Sequence, residues 1–381
     1  MFPFSRPIAV AFGVGLTAVW LVACQAVPSA TSRAQAALAS PPSTPMPTKK
    51  PTRFKNNYTD QVPGSASDLL RWRWNAWRND LPPPPQTPTP QMAPNLAAIH
   101  ANARAGQAMK PAITWIGHAT MLVQASGLNV LTDPVFSERV SPVQSIGPQR
   151  AQPPGVALAD LPAIDVVVIS HNHYDHLDRN TVLALNQRAR GATVFIVPMG
   201  LETWFAEQGI GNVVALDWWQ QHTVKGVAFH LTPVQHWSAR SLGDRFETLW
   251  GGWAVFGPDF HWYFSGDTGY SQDFKDTRER FKARSPDGFD VALLAVGAYE
   301  PRWFMKNQHI NPDEAVQIHQ DLHAKRSVGV HWGTFNLTDE PLDQPPKDLA
   351  IARAAHGVAD DDFFLLKIGE TRTLPARITA R

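Results

Sequence analysis

The chain of 381 residues has one cysteine, Cys24, so no internal disulfide can form. It has almost no net charge, +1 at pH 7, and so gives no hint of a nucleic-acid partner. No internal repeat is visible. Long hydrophobic runs are scarce as well. One stretch, Ile8 to Ala23, follows Arg6, and its length suits a signal-peptide h-region better than a membrane span. Histidine is what the chain does have: several of its 14 histidines sit beside carboxylates and glycines.

The apolar stretch ends Leu21-Val22-Ala23-Cys24, which resembles the lipobox of bacterial lipoproteins. That resemblance implies cleavage before Cys24 and lipid on the new N-terminus. The expected location is then the bacterial cell envelope, lipid-anchored and facing the periplasm. Gln25, rather than Asp, points to the outer membrane under the enterobacterial rule. An ordinary signal peptide with a chance cysteine is the alternative. Residues 24–60 are rich in Pro, Ala, Ser and Thr and are expected to form a flexible tether.

An N-terminal helical extension is expected over 61–111. Within it, Ser67-Asp68 is a candidate cap for a helix running Leu69 to Arg78. On a helical wheel Arg71, Asn75 and Arg78 share one face, and Leu69, Leu70, Trp72, Trp74, Ala76 and Trp77 spread over the other. Such a helix fits a membrane surface, with tryptophans at headgroup depth, or packing on the following domain.

The body, 112–375, alternates short apolar runs with turns. Strands are expected at 113–116, 121–123, 130–132, 166–170, 193–197, 227–231, 253–256, 262–265, 291–294 and 326–330, with helices at 181–188 and 312–324. The run Val166-Val167-Val168-Ile169-Ser170 reads as a strand buried on both faces.

That run stops at His171-Asn172-His173-Tyr174-Asp175-His176, which places four candidate metal ligands within six residues. A tight turn at a strand end can aim several side chains at one point. His171 and His173 can grip one ion, and Asp175 and His176 a second. Imidazole with carboxylate suits zinc and tolerates manganese or iron. Four ligands do not complete two shells, so others are expected after later strands. His236, Asp267 in Ser265-Gly266-Asp267-Thr268-Gly269, and His331 before Trp332-Gly333-Thr334 occupy such places. His118, Asp133 and Asp290 are expected to support loops near the site.

These motifs resemble the metallo-β-lactamase superfamily. Gly297-Ala298-Tyr299-Glu300-Pro301-Arg302-Trp303-Phe304-Met305-Lys306, with Leu216-Asp217-Trp218-Trp219, Gln235-His236-Trp237 and His331-Trp332-Gly333-Thr334-Phe335, is similar to the N-acylphosphatidylethanolamine-hydrolysing phospholipase D family. The resemblance implies an α+β fold, a four-layer αββα sandwich. It implies two zinc ions, the first on His171, His173 and His236, the second on Asp175, His176 and His331, with Asp267 bridging. It further implies hydrolysis of a phospholipid substrate to phosphatidic acid and an N-acylethanolamine. Asp267 and His309 would be the catalytic residues, His309 touching the phosphate or the leaving group; a purely structural loop histidine is the other reading of His309. Trp218, Trp219, Trp237 and Trp303 are expected either in an acyl groove or in the core. The family includes dimers, and nothing in this sequence decides whether the chain forms a homodimer. Two other functions stay open: a metal-dependent hydrolase of a small phosphate ester or lactone, and a lipoprotein that binds metal or lipid without turnover.

Overall fold

Val166, Val167 and Val168 show how the layers arise. Val166 and Val168 pack into a large cluster with Phe229, Leu231, Trp253 and Val255 of a second sheet. Val167 and Ile169 point the other way, against Val182, Leu185, Leu201 and Phe205 on two helices. A strand covered on both faces needs no polar alternation, which is why the run reads as continuously apolar.

The computed structural model describes residues 53–377, apart from Pro63 and Leu242. The lipobox, Cys24 and most of the expected tether lie outside the described residues. The strands are β1 Ala112–Gly117, β2 Thr120–Ala125, β3 Leu128–Thr132, β4 Val166–Val168, β5 Val194–Pro198, β6 Val213–Leu216, β7 Gln221–Val224, β8 Val227–Thr232, β9 Gly252–Phe256, β10 His261–Phe264, β11 Val291–Ala295, β12 Ser327–Val330, β13 Phe363–Phe364 and β14 Thr371–Thr373. The helices are α1 Ala66–Arg78, α2 Leu96–Ala103, α3 Arg179–Arg188, α4 Leu201–Glu207, α5 Asp273–Phe281, α6 Arg302–Met305, α7 Pro312–Asp321 and α8 Gln344–His356.

One sheet has the order β14-β1-β2-β3-β4-β5-β6 and the other β13-β12-β11-β10-β9-β8-β7. Each has an antiparallel half and a parallel half. Antiparallel pairing runs through β14-β1-β2-β3 in the first sheet and β7-β8-β9-β10 in the second. Parallel pairing then runs β3-β4-β5-β6 and β10-β11-β12-β13. The two sheets thus repeat one pairing pattern that is invisible as a sequence repeat. Helices α3 and α4 cover the first sheet. Phe274 and Phe281 of α5, Val316 and Ile318 of α7, and Leu349 of α8 cover the second. This is the expected α+β four-layer sandwich.

Two N-terminal expectations need correction. Helix α1 is capped by Ser65, not by Ser67-Asp68: Asp68 is the third helical residue, and its carboxylate accepts the Ser65 N–H at 3.1 Å while its own N–H donates to Ser65 Oγ. That reciprocal box starts the helix at Ala66. Residues 53–60 are not loose tether. The Phe54 N–H donates to the Phe246 carbonyl, and Asn57 Nδ2 to Asp273 Oδ1 at 2.7 Å. Asn56 clamps the backbone of His236 with two hydrogen bonds of 2.9 Å. Their polar side chains find partners on the domain, which a tether composition does not reveal. Among the described residues, no helix is long and apolar enough to cross a membrane.

Candidate metal centre

Strands β3, β4, β8, β10 and β12 all deliver their C-terminal ends to one edge of the sandwich, and the polar loops leave there. After β4 the chain turns on itself: the His176 and Leu177 N–H groups both donate to the His173 carbonyl. Asp178 then caps α3, accepting from Asn180 N at 3.1 Å. The turn and the cap together fix the rings between them. Gly266 has φ +56°, and a Cβ there would lie 2.5 Å from the Cβ of Ser170. Only glycine lets the loop after β10 bring Asp267 against the loop after β4. His118, Asp133 and His331 also have positive φ, at 53°, 34° and 62°. Such backbones cost about 1–3 kcal/mol each and persist where surroundings hold them. Here the His331 N–H donates to the His118 carbonyl, and the His118 N–H to Thr334 Oγ1 at 2.7 Å.

All seven predicted ligands converge. His171 Nε2 lies 2.8 Å from His173 Nδ1, and His236 Nε2 lies 3.4 Å from the same atom. Asp267 stands in the middle. Its Oδ2 is 3.1 Å from His176 Nε2 and 3.9 Å from Nε2 of both His171 and His236. Its Oδ1 is 3.1 Å from His331 Nε2. Asp175 Oδ2 is 3.4 Å from both His176 Nε2 and His331 Nε2. Donor atoms of His171, His173 and His236 lie within 4.8 Å of one another, as do those of His118, Asp175, His176 and His331.

The ring atoms facing away from the cluster are tied down. His171 Nδ1 meets Ser170 Oγ at 2.9 Å, and Ser170 Oγ donates to Asp133 Oδ2. His176 Nδ1 lies 2.6 Å from the same Asp133 oxygen, and His236 Nδ1 donates to the Gln308 carbonyl at 2.8 Å. Asp133 is near enough to His171 and His176 to count as a donor. Its oxygens are instead taken by Ser170 and the outer nitrogen of His176, so it orients ligands. His118 does the same for Asp175, at 3.0 Å. Asp290 does not join them. It accepts from His261 N and pairs with Lys325 and Arg377, at the start of β10 and β11, the opposite end of the sheet from the cluster.

Electrostatics fit a cation. Burial pushes His173 down to about 4 and His118, His236 and His309 to about 3, and it holds His171 well below its ordinary value. Neutral imidazole is the form that binds metal. His176 and His331 go the other way. Burial opposes their charge, but Asp267 and Asp175 outweigh it, raising His331 to about 9 and His176 well above its ordinary value. Burial would raise Asp267 and Asp175, yet the histidines around them hold both well below the carboxylate range. His173 Nε2, His176 Nε2, both nitrogens of His331 and Asp267 Oδ1 are buried without a hydrogen-bond partner. Buried polar atoms left unpaired cost about 1–3 kcal/mol each, and metal ions held by this His and Asp set would satisfy those facing the cluster.

The stretch from Gly297 to Lys306 is an arm that reaches the cluster from β11. Glu340 accepts the N–H groups of Ala298, Tyr299 and Glu300. Arg302 grips Glu314 with two bonds of 2.8 Å and donates to the His309 carbonyl at 2.8 Å. His309 is thereby set beside the cluster, its Nδ1 3.7 Å from Asp267 Oδ2. Gln308, unremarked in the sequence, links two elements: its carbonyl takes His236 Nδ1 and its Oε1 takes Trp237 Nε1.

A cleft of about 320 Å³ opens on His173, Asp175, Asp267 and His309. Its other walls are largely apolar: Leu69, Trp72, Val140, Trp237, Phe304 and Leu337. Of the four tryptophans singled out above, Trp237 lines it. Trp218 and Trp219 pack on the core instead, Trp218 donating to the Trp250 carbonyl and Trp219 lying against Phe281. Trp303 is exposed. Arg245 also lines the cleft, stacked over Trp237 at 5.2 Å, and no motif announced it.

A family model for the β-lactamase superfamily domain matches residues 128–332. The chain is 40% identical over 269 residues to N-acyl-phosphatidylethanolamine-hydrolyzing phospholipase D 1 of Caenorhabditis elegans, covering 68% of this chain and 74% of that protein. The chain belongs to the metallo-β-lactamase superfamily, in its N-acylphosphatidylethanolamine phospholipase D-like family. It is 35% identical over 266 residues to the mitochondrial N-acyl-phosphatidylethanolamine-hydrolyzing phospholipase D of Saccharomyces cerevisiae, covering 68% of this chain and 55% of that protein. The isothiocyanate hydrolase from Delia radicum gut bacteria shares the fold, with a TM-score of 0.56 at 22% identity over 70% of this chain and all of that one. Membership makes the protein a metal-dependent hydrolase, and its His and Asp cluster is able to hold metal.

Proposed function

We propose that the protein is a zinc-dependent phosphodiesterase of the phospholipase D type, acting on N-acylphosphatidylethanolamine-like phospholipids. The observation that carries this reading is the cleft: an apolar trough that ends on the His and Asp cluster. A small soluble ester needs no such walls, whereas a lipid must place acyl carbon beside a charged phosphate.

The distances support two grips, His171, His173 and His236 for one ion and Asp175, His176 and His331 for the other, with Asp267 between them. Bound zinc supplies Lewis acidity toward the phosphoryl oxygens and water acidified to near neutrality. The chain's own residues do the positioning. Arg245 has no carboxylate partner among the described residues, unlike Arg302 with its Glu314, and offers its guanidinium to the phosphate. His309 stands on the same wall and can hydrogen-bond a phosphoryl oxygen or the departing oxygen. Leu69, Trp72, Phe304 and Trp237 exclude water from the acyl side. In the net reaction a water oxygen bonds to phosphorus and the bond from phosphorus to the ethanolamine oxygen breaks. That oxygen takes up a proton and leaves as N-acylethanolamine, while phosphatidic acid retains the water oxygen. A lipidated Cys24 would keep the enzyme at the cell envelope, near such a substrate.

The test compares wild type with Asp267→Asn on vesicles containing N-acylphosphatidylethanolamine and on a soluble phosphodiester, bis-p-nitrophenyl phosphate. Release of N-acylethanolamine by wild type and its loss in the variant support the reading. Turnover of the soluble ester alone would replace it with a small-substrate hydrolase. Bound metal with no turnover of either would replace it with a binding protein.

A further inference from the structure

Helix α1 has two apolar stripes, and only one is used by the protein. Trp72 and Ala76 are buried. Trp72 stacks on Phe304 with ring centres 5.1 Å apart, and its Nε1 donates to Asp339 at 2.8 Å. Leu70, Trp74 and Trp77 lie roughly 140–200° round the helix from Trp72 at 3.6 residues per turn. They are 71%, 61% and 70% exposed. Their spacing makes one ridge, and the two tryptophan rings lie 5.1 Å apart on it. By the same wheel Arg73 flanks the ridge on one side and Arg71 and Arg78 on the other, all exposed.

We propose that this ridge seats the protein on an anionic lipid surface, with α1 lying in the plane of the headgroups. Three large apolar side chains in water, opposite a docked stripe, have no role in the fold. Tryptophan favours the headgroup region because its ring is apolar and its N–H is polar. Arginines on both flanks can reach up to phosphates while their stems cover the ridge. None of the three is in an ion pair among the described residues; Arg71 and Arg73 lie over the rings of Trp303 and Trp72, which leaves their positive charge without a carboxylate to neutralise it.

The position of the helix gives the docking a use. Leu69 and Trp72, on the same helix, line the cleft that ends on the metal ligands. On the cleft's other wall, Val140 belongs to a loop that exposes Val143 and Ile146, at 47% and 63%. Apolar side chains thus stand out from two elements that wall the cleft. A lipid surface met by the ridge would lie against the same helix that walls the cleft. The docking takes from the proposed function only that the cleft receives a lipid; the ridge itself rests on α1.

The experiment uses the chain from Gln25 onward, which lacks the apolar stretch of 8–23 and holds no cysteine, so that one introduced thiol is the only one. An environment-sensitive fluorophore is placed at Ser67→Cys, exposed on the outer side of α1, or at Lys225→Cys, in the turn before β8 at the end of the sheet away from the cluster. Vesicles are phosphatidylcholine alone or with phosphatidylglycerol, each with a brominated quencher lipid. The label at 67 should be quenched, more readily on the anionic vesicles, and the label at 225 should not. Adding Leu70→Ser, Trp74→Ser and Trp77→Ser should raise the lipid needed for half-quenching about tenfold or more. Unchanged metal content and melting temperature would show that the fold survives. An unquenched label at 67, equal quenching at both sites, or full quenching in the triple variant would overturn the proposal. So would a label at 67 that responds to protein concentration without lipid, which would make the ridge an interface between copies. Docking without hydrolysis of lipid would remove the proposed substrate and leave the docking standing.

Discussion

Asp133 Oδ2 lies 2.6 Å from Nδ1 of His176, on the far side of the ring from Asp267. The carboxylate therefore fixes which nitrogen of His176 faces the cluster. Asp133→Asn is predicted to weaken metal binding about 10–100-fold while leaving the fold intact, as loss of an outer-shell partner does. Metal titration followed by competition with a chromophoric chelator measures it. Asp290→Asn, at the other end of the sheet, should leave the affinity unchanged. Equal effects of the two variants would remove Asp133 from the metal's surroundings.

Loading the metal-free protein should release protons at neutral pH. His331, raised to about 9, and His176, raised well above its ordinary value, carry protons that a metal must displace. Both pKa values are higher folded than unfolded, so the stabilisation is complete below 6.5 and is lost as pH rises toward 9. The depressed histidines, His173 and His236 among them, act only as pH falls below 6.5. The melting temperature of the metal-free protein should thus fall between pH 6.5 and 9, and that of the loaded protein should not. Calorimetric titration in buffers of different ionisation enthalpy counts the protons. A buffer-independent heat would contradict the assignment.

Arg245→Ala should lower kcat/KM for a phosphodiester lipid by about 10–100-fold, the size of a charge-assisted contact of about 1.5–3 kcal/mol. Metal content should not change, because Arg245 lies over Trp237 and, among the described residues, makes no hydrogen bond or ion pair with the His and Asp cluster. Arg245→Lys should recover only part, since the fork is lost. Full activity in Arg245→Ala would mean the phosphate sits elsewhere.

Cys24→Ser is predicted to abolish lipidation at residue 24 and to change the mass of the mature N-terminus. Metabolic labelling with palmitate reads the first, and mass spectrometry the second. A normally processed, unlabelled wild type would show that the lipobox resemblance misleads.

Most of the His and Asp cluster was legible because each of its loops follows a short apolar strand. His171 after β4, Asp267 after β10 and His331 after β12 are examples. Sequence shows a strand end and a polar residue together, and the sandwich then brings those ends to one edge. Contacts that span the chain left no local mark. Asn56 clamps His236 from 180 residues away, and Gln308 holds it from 72. Arg245 lies in an irregular loop, and only its place over Trp237 gives it meaning. Strand β6 is apolar throughout but only four residues long and mostly half-buried, β7 is largely polar and alternates exposed with half-buried residues, and β13 has two residues and β14 three. On α1 the wheel showed one wide apolar face, but not that Trp72 would dock while Trp74 and Trp77 stayed out. That division depends on Phe304 and Asp339, far along the chain.

Cleavage of a lipid phosphodiester at metal ions held by the His and Asp cluster is the core of the proposed function. It is tested most directly by stripping the purified protein with a chelator, restoring zinc, and measuring N-acylethanolamine released from N-acylphosphatidylethanolamine vesicles at each stage. Release should disappear on stripping and return in proportion to zinc bound. Equal release by stripped and loaded protein, or none from the fully loaded protein, would contradict it.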